Sequence, residues 1–204
     1  MRELTLFPGQ PMRIYEVPAA VTEHADQWTV QIKKNGHRAI VRCPANGKVE
    51  IFSRHGDLLS AARRAANGWC WLCDIFDSPF VLDGELLGPR QAGSAGLTLC
   101  VWDTILLGGE SLLNVPYLER WGLLGESVLQ GNLDNAIFYN SDGSPMLVCA
   151  ETMPVDAWDG LWRGITDPDG PDEGLVFKRK DIPLAWHPRP GVEDPNQLKL
   201  RRKG

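Results

Sequence analysis

The chain has 204 residues, 43% of them hydrophobic and 23% charged, which suits one substantial folded core and excludes a disordered polymer. No apolar run approaches the roughly 18 residues of a membrane span, and no basic-then-apolar leader opens the sequence, so an intracellular, cytoplasmic protein without a membrane partner is expected. The net charge of −5 does not by itself advertise nucleic-acid binding.

The first predicted element is a strand over 28–32, which delivers Lys33 onto Asn35-Gly36 with Lys34 and Arg38 alongside. Asn-Gly is the strongest short hairpin signal, so the bland interpretation is a solvated hairpin turn. The sharper one is a presented nucleophile. A lysine amine is unprotonated only about one time in a thousand near neutral pH, so a nucleophilic lysine needs desolvation or cationic neighbours that lower its pKa by about three units, about 4 kcal/mol. Lys34 and Arg38 are such neighbours. Strands over 39–43 and 49–52 follow, running into Ser53-Arg54-His55-Gly56, and Ala and Leu at helical spacing predict a helix over 57–66. The five cysteines are odd in number and scattered, as reduced thiols are; Cys70-x-x-Cys73 is half of a zinc site at most and reads as buried structural thiols.

A strand over 80–86 contains Leu82-Asp83-Gly84-Glu85-Leu86, and one over 97–105 contains Val101-Trp102-Asp103. Taken alone, Asp83-Gly84 reads as a turn and Trp102 as a core residue. Pro116 opens a helix over 117–129, strands are expected over 136–139 and 146–149, and a short helix over 154–162. Residues 167–172 form a surface loop by composition; Glu173-Gly174 then enters a strand over 175–178 that ends at Lys178. Residues 186–196, with three prolines, read as irregular before a last strand over 197–200 within Gln197-Leu198-Lys199-Leu200-Arg201. Together these predict a single α+β domain over 1–204 with antiparallel sheets flanked by helices. Basic residues gather at Lys33/Lys34/Arg38, Lys178/Arg179/Lys180 and Lys199/Arg201/Arg202/Lys203, whereas residues 151–173 hold seven acids and one arginine. If the clusters converge, a positive face sits on an acidic body.

In order and approximate spacing, the lysine segment and the five quoted segments from Ser53-Arg54-His55-Gly56 to Gln197-Leu198-Lys199-Leu200-Arg201 resemble motifs I, Ia, III, IIIa, IV and V of the covalent nucleotidyltransferases, which include polynucleotide ligases and mRNA capping enzymes. The resemblance spans roughly residues 28–203. The run from Asp103 through Pro116-Tyr117-Leu118-Glu119-Arg120 is most similar to ATP-dependent DNA ligases. It implies an ATP-grasp-like DNA ligase catalytic core acting on ATP with Mg2+ and nicked duplex nucleic acid, as a monomer. By the same resemblance Lys33 takes AMP as a phosphoramidate, and Lys178, Lys199 and Arg201 steady phosphate charge. Glu173 faces the metal, Glu85 the ribose and the metal, and Arg54 and Arg38 the sugar or phosphate. Trp102 stacks on the adenine, and Gln31 stands where DNA ligases commonly carry a glutamate that accepts from the adenine amino group.

This sequence departs from the family pattern in several places. Asn35 replaces the usual aspartate, Gln31 weakens base selectivity because an amide can also face a guanine carbonyl, and the chain stops at Gly204 without an OB-fold. The last departure implies either an isolated catalytic domain, natural or truncated, or a separate OB-fold or DNA-binding partner, and slow charging from ATP relative to sealing of a pre-adenylylated nick. An RNA ligase, a GTP-using capping enzyme and a non-catalytic nucleotide- or nucleic-acid-binding module with the same fold stand as alternatives.

Overall fold

Side chains alternate between the two faces of each strand, and this decides which residues the core takes and which are left to meet one another. The computed structural model describes residues 5–60, 69–89, 96–134, 146–167 and 170–202, with 131–134 described by backbone alone. On β3 (Trp28–Lys34), Trp28, Val30 and Ile32 enter a core, whereas Gln31 and Lys33 take the opposite face. β3 pairs antiparallel with β11 (Asp172–Arg179), which pairs antiparallel with β13 (Glu193–Arg201). With β2 (Gln10–Ile14) and β10 (Met153–Pro154) they form a five-stranded sheet in the order β10-β3-β11-β13-β2. Its apolar face packs on α1 (Ala19–Glu23) and α3 (Trp158–Gly164) through Val21, Leu175, Phe177, Leu200 and Trp162.

The second sheet runs β5-β4-β6-β7-β8, from β5 (Glu50–Phe52) and β4 (His37–Cys43) through β6 (Phe80–Leu87) and β7 (Thr98–Leu107) to β8 (Glu110–Ser111), with β9 (Leu147–Cys149) also on β7. Ala39, Val41, Leu82, Leu86, Leu99 and Val101 bury one face against Leu124 and Val128 of α2 (Tyr117–Asp134) and a 3-10 turn at Cys70–Asp74. Each fully buried Leu or Phe contributes about 1.5–3 kcal/mol. A two-stranded pair, β1 (Phe7–Pro8) with β12 (Trp186–His187), forms a separate sheet that packs through Phe7 and Trp186 on Ile40 and Phe52 of the second.

The architecture is the expected α+β one, with differences that have physical causes. Asn35-Gly36 is no hairpin: β3 belongs to the five-stranded sheet and β4 to the other, so the chain crosses between sheets there. Gly36 has no positive φ; it is small because a Cβ would lie 2.6 Å from the Leu86 carbonyl oxygen. Asp83-Gly84 is no turn but the middle of β6, where a Cβ on Gly84 would lie 2.4 Å from the Cys100 carbonyl oxygen. Two pairings are parallel, β13 with β2 and β7 with β9. Residues 57–59 form no helix, because Leu58 bridges Phe52, and 61–66 and 136–139 lie outside the described residues. The stretch 186–196 holds β12 and the start of β13. Cys70 is exposed and Cys73 half-buried, so they are not buried thiols, and none of the five cysteines is in a disulfide.

Candidate active site

With their outer faces in two cores, the sheets leave their inner faces to line a cleft of about 460 Å³. The crossing at Asn35-Gly36 puts Lys33 where the two inner faces meet. From the five-stranded sheet the cleft takes Gln31 and Lys33, two residues apart on β3, Lys199 and Arg201, two apart on β13, and Lys178 from β11 between them. Glu173 enters beside a register shift between Asp172 and Gly174. The other sheet supplies Arg38, Glu85 and Trp102, and the loop after β5 supplies Arg54. All ten side chains singled out in the sequence therefore line one cleft.

Lys33 Nζ donates to Glu173 Oε1, and Arg201 Nη2 donates to the same oxygen at 3.2 Å. The cationic neighbours expected to crowd Lys33 are engaged elsewhere: Lys34 Nζ binds Asp172 at 2.7 Å on the other face of the strand, and Arg38 Nε binds Asp83 at 2.6 Å. Burial pushes the Glu85 carboxyl up, against the pull of Lys33 and Arg38, and Gly36 N–H donates to it at 3.0 Å. Lys199 has its amine lowered by burial and then by Arg201. Gln31 Nε2 donates to Thr152 Oγ1 at 2.7 Å, which leaves its carbonyl as the group free to face a ligand. Arg54 Nε donates to its neighbour His55 at 2.9 Å on the exposed rim.

Trp102 is held on several sides. Its Nε1 donates to Asp83 Oδ2 at 2.8 Å, Arg38 Cζ lies 5.2 Å from its ring and Lys178 Nζ 5.5 Å. The fork of Arg38 is filled by Asp83, so Arg38 positions Trp102 as much as it offers itself to a ligand. Lys178 is buried and donates to Tyr117 Oη at 3.2 Å, which donates in turn to the Trp102 carbonyl at 3.1 Å. Burial lowers the Lys178 amine to about 8, with Asp103 and Asp83 opposing the shift. Beneath, Arg120 and Asp103 form a buried ion pair at 2.9 Å, and burial raises the Asp103 carboxyl to about 6 against Arg120. The site also takes in Asp83, Tyr117 and Thr152, which the motif order alone does not single out. The signals for the first two were present, Asp83 beside Glu85 and Tyr117 behind Pro116, whereas Thr152 has none.

No protein-family model matches the chain, and no curated protein matches it. Solved structures do. The ligase domain of Mycobacterium tuberculosis LigD superposes with a TM-score of 0.64 at 21% identity, over 95% of this chain and 59% of that one. The ATP-dependent DNA ligase of bacteriophage T7, in complex with ATP, gives 0.63 at 14% identity over 97% and 69%. An archaeal ATP-dependent RNA ligase gives 0.57 at 18% identity over 95% and 48%. The fold is that of the ligase-type nucleotidyltransferases. This chain spans 59% of the mycobacterial ligase domain and smaller or similar shares of several others. The ligase-type fold is shared by DNA and RNA ligases alike, so it does not choose between their substrates.

Proposed function

We propose that the protein is the nucleotidyltransferase domain of an ATP-dependent polynucleotide ligase, acting on nicked duplex DNA. The observation that carries this reading is that Lys33, in contact with Glu173 beside Arg201, lines one cleft with Lys199, Lys178, Trp102 and Gln31. An amine among cations, with a flat aromatic and an amide acceptor in the same cleft, suits a nucleoside phosphate. Lys33 gives up a proton to solvent and attacks the α-phosphate as the neutral amine; the Nζ–P bond forms, the bond to pyrophosphate breaks, and the second proton also leaves to solvent, with Glu173 the carboxylate that orients the amine. Lys178, Lys199 and Arg201 stand as fixed donors for charge that spreads over the phosphate oxygens. Trp102 stacks on the base, the Gln31 carbonyl accepts from the adenine amino group, and Glu85 accepts from a ribose hydroxyl.

Among the described residues no three or more His, Cys, Asp or Glu side chains converge to hold a metal. Magnesium takes one or two carboxylates and leaves its other positions to water and phosphate. Glu173 is the carboxylate that fits it, and bound magnesium would neutralise phosphate charge. Glu85, with its Gly36 bond and deep burial, suits the ribose better than the metal. The test is to charge the protein with labelled ATP or GTP and offer nicked duplexes that differ only in the sugar at the break. Transfer of AMP to a DNA nick supports the reading; transfer only to RNA moves the protein to the RNA ligases.

A further inference from the structure

The N-terminal strand contributes to no motif used so far, yet it completes one side of the cleft. β2 runs parallel to β13, with Arg13 opposite Lys199 and Ile14 opposite Leu200. Ile14 and Leu200 belong to the apolar core, so Arg13, one residue earlier, is an exposed side chain on the same face of the sheet as Lys199, which lines the cleft. One row across the sheet reads Gln31, Val176, Lys199 and Arg13, and the next reads Lys33, Gly174 and Arg201. The Arg13 guanidinium lies 5.1 Å from the ring of Tyr15, which is 82% exposed, so a flat aromatic props a flat cation on the edge strand of the sheet.

The charges at this end do not balance. Lys33 and Arg201 share Glu173, whereas neither Arg13 nor Lys199 has an ion-pair partner among the described residues. Burial holds the Lys199 amine below its ordinary value, Arg201, Lys33 and Arg13 press the same way, and Glu193 opposes them. Crowded like charges of this kind are relieved by a polyanion.

We propose that Arg13, together with Lys199 and Arg201, holds the terminal phosphates of the nucleoside triphosphate, the pyrophosphate released when Lys33 takes the nucleotide. The inference rests on the function proposed above. Neighbouring strands lie about 4.8 Å apart, so the three steps from β3 to β2 span roughly 14 Å, a gap suited to a lysine, a triphosphate and an extended arginine. As the Nζ–P bond forms and the P–O bond to the β-phosphate breaks, the electron pair stays on the pyrophosphate oxygen, and its growing charge meets these three cations. A nucleic-acid backbone is a poorer occupant, because two neighbouring arginines are engaged elsewhere: Arg202 turns back over the Trp162 ring at 4.7 Å, and Arg179 is tied to Asp181.

The experiment titrates inorganic pyrophosphate, AMP and a nicked DNA duplex separately into the full chain and into its Arg13→Ala and Arg13→Lys variants, by calorimetry and without turnover. Pyrophosphate affinity should fall about tenfold or more in Arg13→Ala and recover in part in Arg13→Lys, as loss of a charge-assisted contact does, with AMP affinity unchanged. Pyrophosphate binding that is absent from the unaltered chain, or undiminished in Arg13→Ala, overturns the assignment, as does a loss confined to duplex binding. If pyrophosphate binding depends on Arg13 but the unaltered chain does not bind AMP, the polyphosphate site stands and the nucleotide pocket proposed above fails.

Discussion

Lys178 is the side chain whose chemistry depends most on its surroundings. Its amine titrates near 8 in the folded chain against 10.5 unperturbed. Between those values the unfolded chain holds a proton that the folded chain lacks, so this group makes stability rise with pH from about 8 to about 10.5. Below about 8 both states are charged, and the buried charge is a constant cost. Nucleotide binding should run the other way: ATP affinity should fall as pH rises through about 8, and Lys178→Gln should bind weakly with a flat profile over that range. A wild-type profile as flat as the variant's would remove Lys178 from phosphate binding. Trp102→Ala should cost about 1–3 kcal/mol in ATP affinity while leaving the fold intact, and unchanged affinity would return Trp102 to a purely structural role. Residues that line the cleft were legible from their order along the chain. Asp83 and Tyr117 were not assigned to the site, because their task is to hold Trp102 and Lys178, and the Tyr117–Lys178 contact joins residues 61 apart in sequence.

Elements show the same division. Strands that alternate cleanly, such as β3, β4 and β7, were legible because one face meets a core. The Asn35-Gly36 crossing was not, since a hairpin and a passage between sheets use the same short polar pair, and only the partners of β3 and β4 tell them apart. β2 was missed because Pro11 and its exposed middle hide the pattern, and its partner β13 lies at the other end of the chain. Two element contacts should be sensitive. A Cβ on Gly174 would lie 2.0 Å from the Leu200 carbonyl oxygen, so Gly174→Ala should push β11 from β13 and destabilise the protein by about 1–3 kcal/mol in urea unfolding. Arg120→Ala leaves Asp103 as an unpaired buried carboxylate beneath α2 and should cost about 3–5 kcal/mol. Replacing both partners by apolar residues should recover most of that loss. A double variant as unstable as Arg120→Ala would show that the cost lies in packing and not in the orphaned charge.

For the whole molecule, the acidic balance of the chain conceals a basic interior. Lys33, Arg38, Lys178, Lys199 and Arg201 all line the cleft, so the three basic clusters of the sequence do converge in part. Lys178 is buried in the cleft, and Arg179 is paired with Asp181. Duplex binding by this chain should therefore be weak and should fall with salt, through few phosphate contacts. The central claim is covalent: Lys33 accepts a nucleotide. Intact mass after incubation with ATP and magnesium measures it directly. The mass should rise by one AMP, the gain should be lost in Lys33→Ala, and inorganic pyrophosphate should reverse it; a folded chain that gains no mass, or a gain that survives Lys33→Ala, would contradict the account.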